Sequence, residues 1–151
     1  MYKKILFGTC LTEYCNHIFN YALQLAEEND AKLWIYYNLG NSNNDEKQTE
    51  QAIKEAETKV AQMYVDQMKG RGFTNYAINV SDGEVVREIS MLARNAAVDL
   101  IIMGTSTHTP LTAGESTSNG TFGPVAAETV LRAPCPVLII PPSLIPGLAR
   151  G

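Results

Sequence analysis

The sequence is short of cysteine, of positive charge and of long apolar runs, and each shortage excludes something. Three cysteines in 151 residues are few and odd in number, so no disulfide framework is expected, and a cytoplasmic location is the default that follows. Lys and Arg number 12 against 16 Asp and Glu, a net charge of −4. That argues against nucleic acid held on a broad basic surface. It is no argument against a small anion, which backbone N–H groups bind locally without net positive charge. No apolar run approaches the roughly 18 residues of a spanning helix. The apolar part of the opening MYKKILFGTC is too short for a signal peptide, so no membrane partner is expected. Two nucleotide fingerprints are also missing: there is no GxxxxGK[ST], and no GxGxxG behind the first strand.

What is present is an ordinary globular pattern, 45% hydrophobic and 19% charged, of a length suited to one domain. A single domain over 1–142 with a loose tail over 143–151 is the expected division. The run KKILFGT (3–9) reads as a strand closed by Gly8. Cys15, Ile18, Phe19, Ala22, Leu23, Leu25 and Ala26 then recur at threes and fours, an amphipathic helix capped by Thr12 and ending near Asn29. AKLWIYYNL (31–39) is a buried strand, and a long helix from about Glu46 to Lys69 is stopped by GRG. TNYAINV (74–80) alternates as a strand, Asp82 is the expected cap of the next helix, and LIIMG is a fully apolar strand. Val125 to Leu131 is a short helix, and CPVLIIPP (135–142) is the last strand, ended by its prolines. This strict alternation predicts an α/β fold with a mostly parallel five-stranded sheet and helices on both faces.

In such sheets ligands bind beyond the carboxyl ends of strands, where the strand order reverses. GTCLT, YYNLG and GTSTH, after the first, second and fourth strands, are the edges that qualify. The third opens MGTSTHTPLTAGESTSNGTFGPVAAETV (103–130), far longer than the usual connection of about 2–6 residues. Gly104, Gly114, Gly120 and Gly123 allow close backbone approach. Ser106, Thr107, Ser116, Thr117, Ser118 and Thr121 add hydroxyl donors. A helix starting near Pro124 turns its positive end toward the loop. The segment suits a phosphate, and its plainer reading is flexible surface.

The stretches KKILFGT…TEY, YALQLAEENDAKLWIYYNL, DGEVVREISMLARNAAVDLIIMGT and GPVAAETVLRAPCPVLIIP carry a resemblance to the universal stress protein family along essentially the whole chain. The resemblance implies a three-layer α/β/α fold of the adenine-nucleotide alpha hydrolase-like, Rossmann-like kind. It implies a homodimer through the last strand, here Val137 to Ile140, and a cytoplasmic role in stress response. It also implies a choice between a subclass that binds ATP and one that does not. The binding subclass carries G-x2-G-x9-G-[S/T]. Gly104 stands at the first position and Thr107 at the second. Gly123-Pro124-Val125 stands where the final Gly-[S/T]-Val belongs, after 15 residues. Gly120-Thr121 is a second match for the final pair. Behind the first strand the family has an Asp used toward the base, and this chain has Cys10; Asn38 matches a base-contacting position after the second strand. The residues implied for ATP or AMP, with or without magnesium, are therefore Gly8, Thr9, Cys10, Asn38, Met103, Gly104, Ser106, Thr107, His108, Gly120, Thr121, Gly123, Pro124 and Val125. Two outcomes stand: the altered site binds nothing tightly, or it binds a nucleotide in a changed pose. The surviving glycines and donors favour the second.

The remaining residues divide more plainly. Cys10, Cys15 and His17 form C-x4-C-x-H with no second pair to complete a zinc site, and Cys15 falls on the apolar helix stripe. Cys10 is expected to line the crevice, and no neighbouring charge in the sequence supports a redox role for it. His108 suits a phosphate donor or acid–base group, though an exposed loop histidine is the plainer reading. Glu50–Lys54 and Glu55–Lys59 read as pairs on a solvated helix face. Trp34 and Tyr36 read as core, and Tyr37 and Asn38 as nearer the exit of their strand. Three functions compete: a nucleotide-binding regulatory dimer with slow or no turnover, a ligand-free interaction module, and a nucleotide hydrolase. The third is weakest, since Glu115 is the one acid in the long loop.

Overall fold

The computed structural model of the chain describes residues 1–40, 45–105 and 124–144. Strands and helices alternate along them: β1 (Lys4–Thr9), α1 (Glu13–Asn29), β2 (Lys32–Asn38), α2 (Glu46–Gly70), β3 (Tyr76–Ser81), α3 (Val85–Asn95), β4 (Leu100–Gly104), α4 (Pro124–Arg132) and β5 (Val137–Ile140). A 3-10 turn at Pro142–Leu144 follows. The strands pair in parallel, in the order β3-β2-β1-β4-β5. From β1 the chain winds outward to β3, then returns to the other side of β1 as β4. The expected α/β architecture is the one observed. No helix among the described residues is long and apolar enough to cross a membrane.

Strand pleating sends alternate residues to opposite faces, and the core divides accordingly. Ile5, Phe7, Leu33, Ile35, Leu100 and Ile102 face α1 and α2, where they meet Ile18, Phe19, Leu23, Val60, Tyr64 and Met68. Leu6, Tyr36, Ile101 and Met103 face α3 and α4, against Ile89, Ala93 and Ala126. Phe7, Phe19 and Tyr64 form one aromatic cluster, the ring centroids of Phe19 and Tyr64 4.4 Å apart. Such side chains contribute about 1.5–3 kcal/mol each when fully buried. Asp99 fixes the start of the sheet, its carboxylate accepting from the Lys3 and Lys4 amides at 2.9 and 3.2 Å.

Several boundaries differ from expectation. Thr12 does cap α1, accepting from the Cys15 amide at 3.3 Å. The cap of α3, however, is Glu84, whose carboxylate accepts from the Val86 and Arg87 amides, not Asp82. Gly83, at φ 127°, turns the chain in a conformation only glycine adopts freely, so the cap falls two residues after the expected Asp82. The last strand is confined to Val137–Ile140, because Pro136 and Pro141 lack the N–H that a longer ladder needs. Glu50–Lys54 and Glu55–Lys59 are not among the ion pairs of the described residues. Glu55 accepts instead from Gln51 Nε2 at 3.1 Å.

One contact joins the first helix to the far side of the sheet. The Tyr14 ring, in the first turn of α1, crosses the end of β4. Its hydroxyl accepts from the Thr105 amide at 2.9 Å and donates to the Ile140 carbonyl. A Cβ at Gly104 would lie 2.6–2.7 Å from that ring and its hydroxyl. Gly104 is therefore required by close approach. Gly104→Ala is expected to cost about 1–3 kcal/mol by overpacking, read by urea unfolding. In a Tyr14→Ala background the same change should cost much less; an unchanged cost would show that this contact is not the reason for the glycine.

Candidate functional site

The order reversal between β1 and β4 leaves a crevice at their carboxyl ends, because the helix that follows β1, α1, packs on one face and the helix that follows β4, α4, packs on the other. A cavity of about 430 Å³ occupies it, within the roughly 300–1,000 Å³ of small-molecule sites. Gly8, Thr9 and Cys10 line it from β1 and Met103 and Gly104 from β4; Tyr36 to Gly40 close it beyond β2. Gly83, Glu84, Val85 and Ile89 supply the α3 wall, and Val125 the start of α4.

Polar groups at the rim are largely engaged by one another. Asn38 Nδ2 donates to the Tyr36 hydroxyl at 2.8 Å, and its Oδ1 accepts from the Gly40 amide at 2.6 Å. Tyr36 also shares a 2.6 Å bond with Ser81 Oγ; burial raises its phenol above the usual range, against the hydrogen bonds from Ser81 and Asn38. The Thr9 hydroxyl is taken by Tyr64 at 2.6 Å and by the Leu11 amide at 3.0 Å. Glu84 places a carboxylate on the wall and uses it to cap α3. Val85, Ile89, Met103 and Val125 make the opposite surface apolar. The slot therefore suits a flat apolar ring flanked by a few fixed polar groups.

The implied binding residues separate under this geometry. Gly8, Thr9, Cys10, Asn38, Met103, Gly104 and Val125 come together around the crevice. Pro124 opens α4 beside it, exposed and outside the lining. Ser106, Thr107, His108, Gly120, Thr121 and Gly123 lie outside the described residues, as does Glu115. Tyr36, read from sequence as core, is buried and also lines the slot. Gly83, Glu84, Val85 and Ile89 line the slot as well, although helical spacing marks Val85 and Ile89 only as core. Their signal was available: SDGEV follows β3 and so stands at the same end of the sheet as the three edges considered.

Cys10 and Cys15 both line the crevice. Their sulfurs are 2.7 Å apart, and Cys15 Sγ also accepts from the Cys10 amide at 3.2 Å. Cys10 Sγ lies 3.3 Å from Thr12 Oγ1. The pair shares a proton: donation to Cys15, then burial, holds the Cys10 thiol far above its ordinary range, while the Cys10 thiol as donor lowers Cys15 to about 6. Cys15 is also in the first turn of α1, where the helix dipole favours a thiolate. His17 is exposed, and among the described residues no three His, Cys, Asp or Glu side chains gather as a metal site requires.

Comparison with known proteins adds the decisive finding. The universal stress protein family matches residues 1–141. The chain belongs to this family. A universal stress protein crystallised in complex with cAMP superimposes with a TM-score of 0.71 at 23% identity, over 92% of this chain and 97% of that one. The universal stress protein of Lactobacillus plantarum gives 0.62 at 22%, over 92% and 97%. One from Archaeoglobus fulgidus in complex with dAMP gives 0.58 at 15%, over 92% and 98%. At these identities the likeness establishes the fold. No curated protein matches the chain.

The shared proton has a direct readout. Ultraviolet thiolate absorbance should show one cysteine ionising with a midpoint near 6. Cys10→Ala removes the donor that favours the charged form, so the midpoint should rise toward the ordinary value of about 8.5. A single transition at the ordinary value in the unaltered protein would contradict the pairing.

Proposed function

We propose that this protein binds an adenine nucleotide, ATP or AMP, in the crevice between β1 and β4, and acts as a regulatory homodimer in stress response with slow or no turnover. The observation that carries this reading is the position and character of the cavity. It lies at the switch point of a parallel sheet, has a suitable volume, and pairs an apolar α3 wall with glycine at Gly8 and Gly104. Related structures held in complex with cAMP and dAMP support the same ligand class.

The residues present fit the base and ribose better than the phosphates. Cys10, Asn38 and the 36–40 edge would hold the base end, with Ile89 and Val85 against its face. The Glu84 carboxylate already occupies the α3 amides, so phosphates belong on the β4–α4 side, toward the glycine- and hydroxyl-rich 104–125 segment. When bound, a nucleotide would supply negative charge, which the N-terminal end of α4 at Pro124 and Val125 favours. The proposed dimer uses β5, which among the described residues pairs with β4 alone and leaves Val137, Leu138 and Ile139 half-buried. An unpaired strand edge of this kind invites a partner.

Calorimetric titration with ATP and with AMP, with and without magnesium, tests the reading. Saturable heat is expected, together with a stabilisation of about 2.7 kcal/mol at a ligand concentration 100 times Kd. No heat and no rise in Tm at millimolar nucleotide would overturn it in favour of a ligand-free interaction module. Rapid phosphate release would instead favour a hydrolase.

A further inference from the structure

We propose that Cys10 and Cys15 form a redox-active dithiol in the wall of the crevice, which a hydroperoxide closes to an intramolecular disulfide. The geometry comes from the β1–α1 turn. Leu11 between them is held at φ 62°, a left-handed conformation that a non-glycine residue rarely adopts. That turn, fixed by the Thr9 hydroxyl on the Leu11 amide and by the Thr12 cap, folds Cys10 back over the first turn of the helix. The sulfurs stand 2.7 Å apart, against about 2.05 Å in a disulfide, so bond formation needs only a small shift. Both residues line the cavity, Cys10 half-buried and Cys15 3% exposed behind it, and the cavity admits a molecule as small as hydrogen peroxide. Cys135, on the far edge of the sheet, has no sulfur partner among the described residues. Burial and the nearby Asp99 charge raise its thiol, so the molecule contains its own slow-reacting reference.

The chemistry balances as a two-electron oxidation. The Cys15 thiolate attacks one peroxide oxygen, the O–O bond breaks, and a sulfenic acid and hydroxide result. The hydroxide takes the proton from the Cys10 thiol to form water. The Cys10 thiolate then attacks the Cys15 sulfur, forming the S–S bond and releasing a second hydroxide, which takes a proton from solvent. Two sulfurs have been oxidised and the peroxide has been reduced to two waters. Since both cysteines belong to the crevice wall, closing the bond also alters the site at its β1 end. That consequence alone rests on the nucleotide reading.

The test exposes the reduced, full-length protein to hydrogen peroxide and follows each thiol by alkylation and peptide mass mapping. Cys10 and Cys15 should be lost together, as one linked peptide pair lighter by two hydrogens, about tenfold or more faster than Cys135, and dithiothreitol should restore both. In Cys10→Ser, a dimedone-trappable sulfenic acid should appear at Cys15 instead. Loss of Cys135 before the pair, or Cys10 linked only to another chain, would overturn the proposal. Titrating reduced and oxidised protein with AMP separates the two readings. A disulfide without nucleotide binding in either state refutes the nucleotide reading alone. Binding with both thiols persisting refutes the dithiol alone.

Discussion

The reversal of strand order between β1 and β4 is the constraint on which the rest of this molecule depends. Helical crossovers carry the chain from β1 through α1 toward β3, and then from β3 through α3 back to β4. Adjacent strands are thus joined to helices on opposite faces, and among the described residues a gap is left between them at their carboxyl ends. The crevice is what parallel pairing leaves once the order turns around. Tyr14 bridges this division from one side, tying the start of α1 to Thr105 and the end of β5.

Within that frame the crevice is shaped more by what its residues do to one another than by free polar groups. Asn38, Tyr36 and Ser81 form a closed set, and Thr9 is committed to Tyr64. An arriving ligand would meet preformed surfaces and would have little to reorganise, which favours binding by shape. Cys10 stands where the family resemblance implies an Asp. A thiol there offers no fixed anionic acceptor and lies 2.7 Å from the Cys15 sulfur, so the proposed ligand recognition and the proposed redox chemistry meet at one residue.

The fold was legible because period-2 and period-3.6 patterns separate cleanly: LIIMG is buried at every position, and the α1 stripe from Cys15 to Ala26 is buried except at Leu25, which is half-buried. Part of the candidate site was equally legible, since Gly8, Thr9, Cys10, Asn38, Met103, Gly104 and Val125, which line the crevice, follow from strand ends and the family signature. The α3 wall was not, because helical spacing marks Val85 and Ile89 as core without saying that they also face a cavity. The Cys10–Cys15 pairing escaped for a related reason. A C-x4-C spacing says nothing of a left-handed residue such as Leu11 that doubles the chain back, and the support for a thiolate comes from a backbone amide and a helix end, which no count of charged neighbours detects.

The central claim is that the crevice between β1 and β4 is the place where this chain recognises an adenine nucleotide. Backbone amide chemical shifts followed during titration with AMP test it most directly. The account predicts saturable shifts concentrated at Gly8, Cys10, Gly40, Gly83 and Gly104, with β5 and the outer faces of α1 and α2 unmoved. Absence of saturable shifts, or shifts centred away from these strand ends, would contradict it.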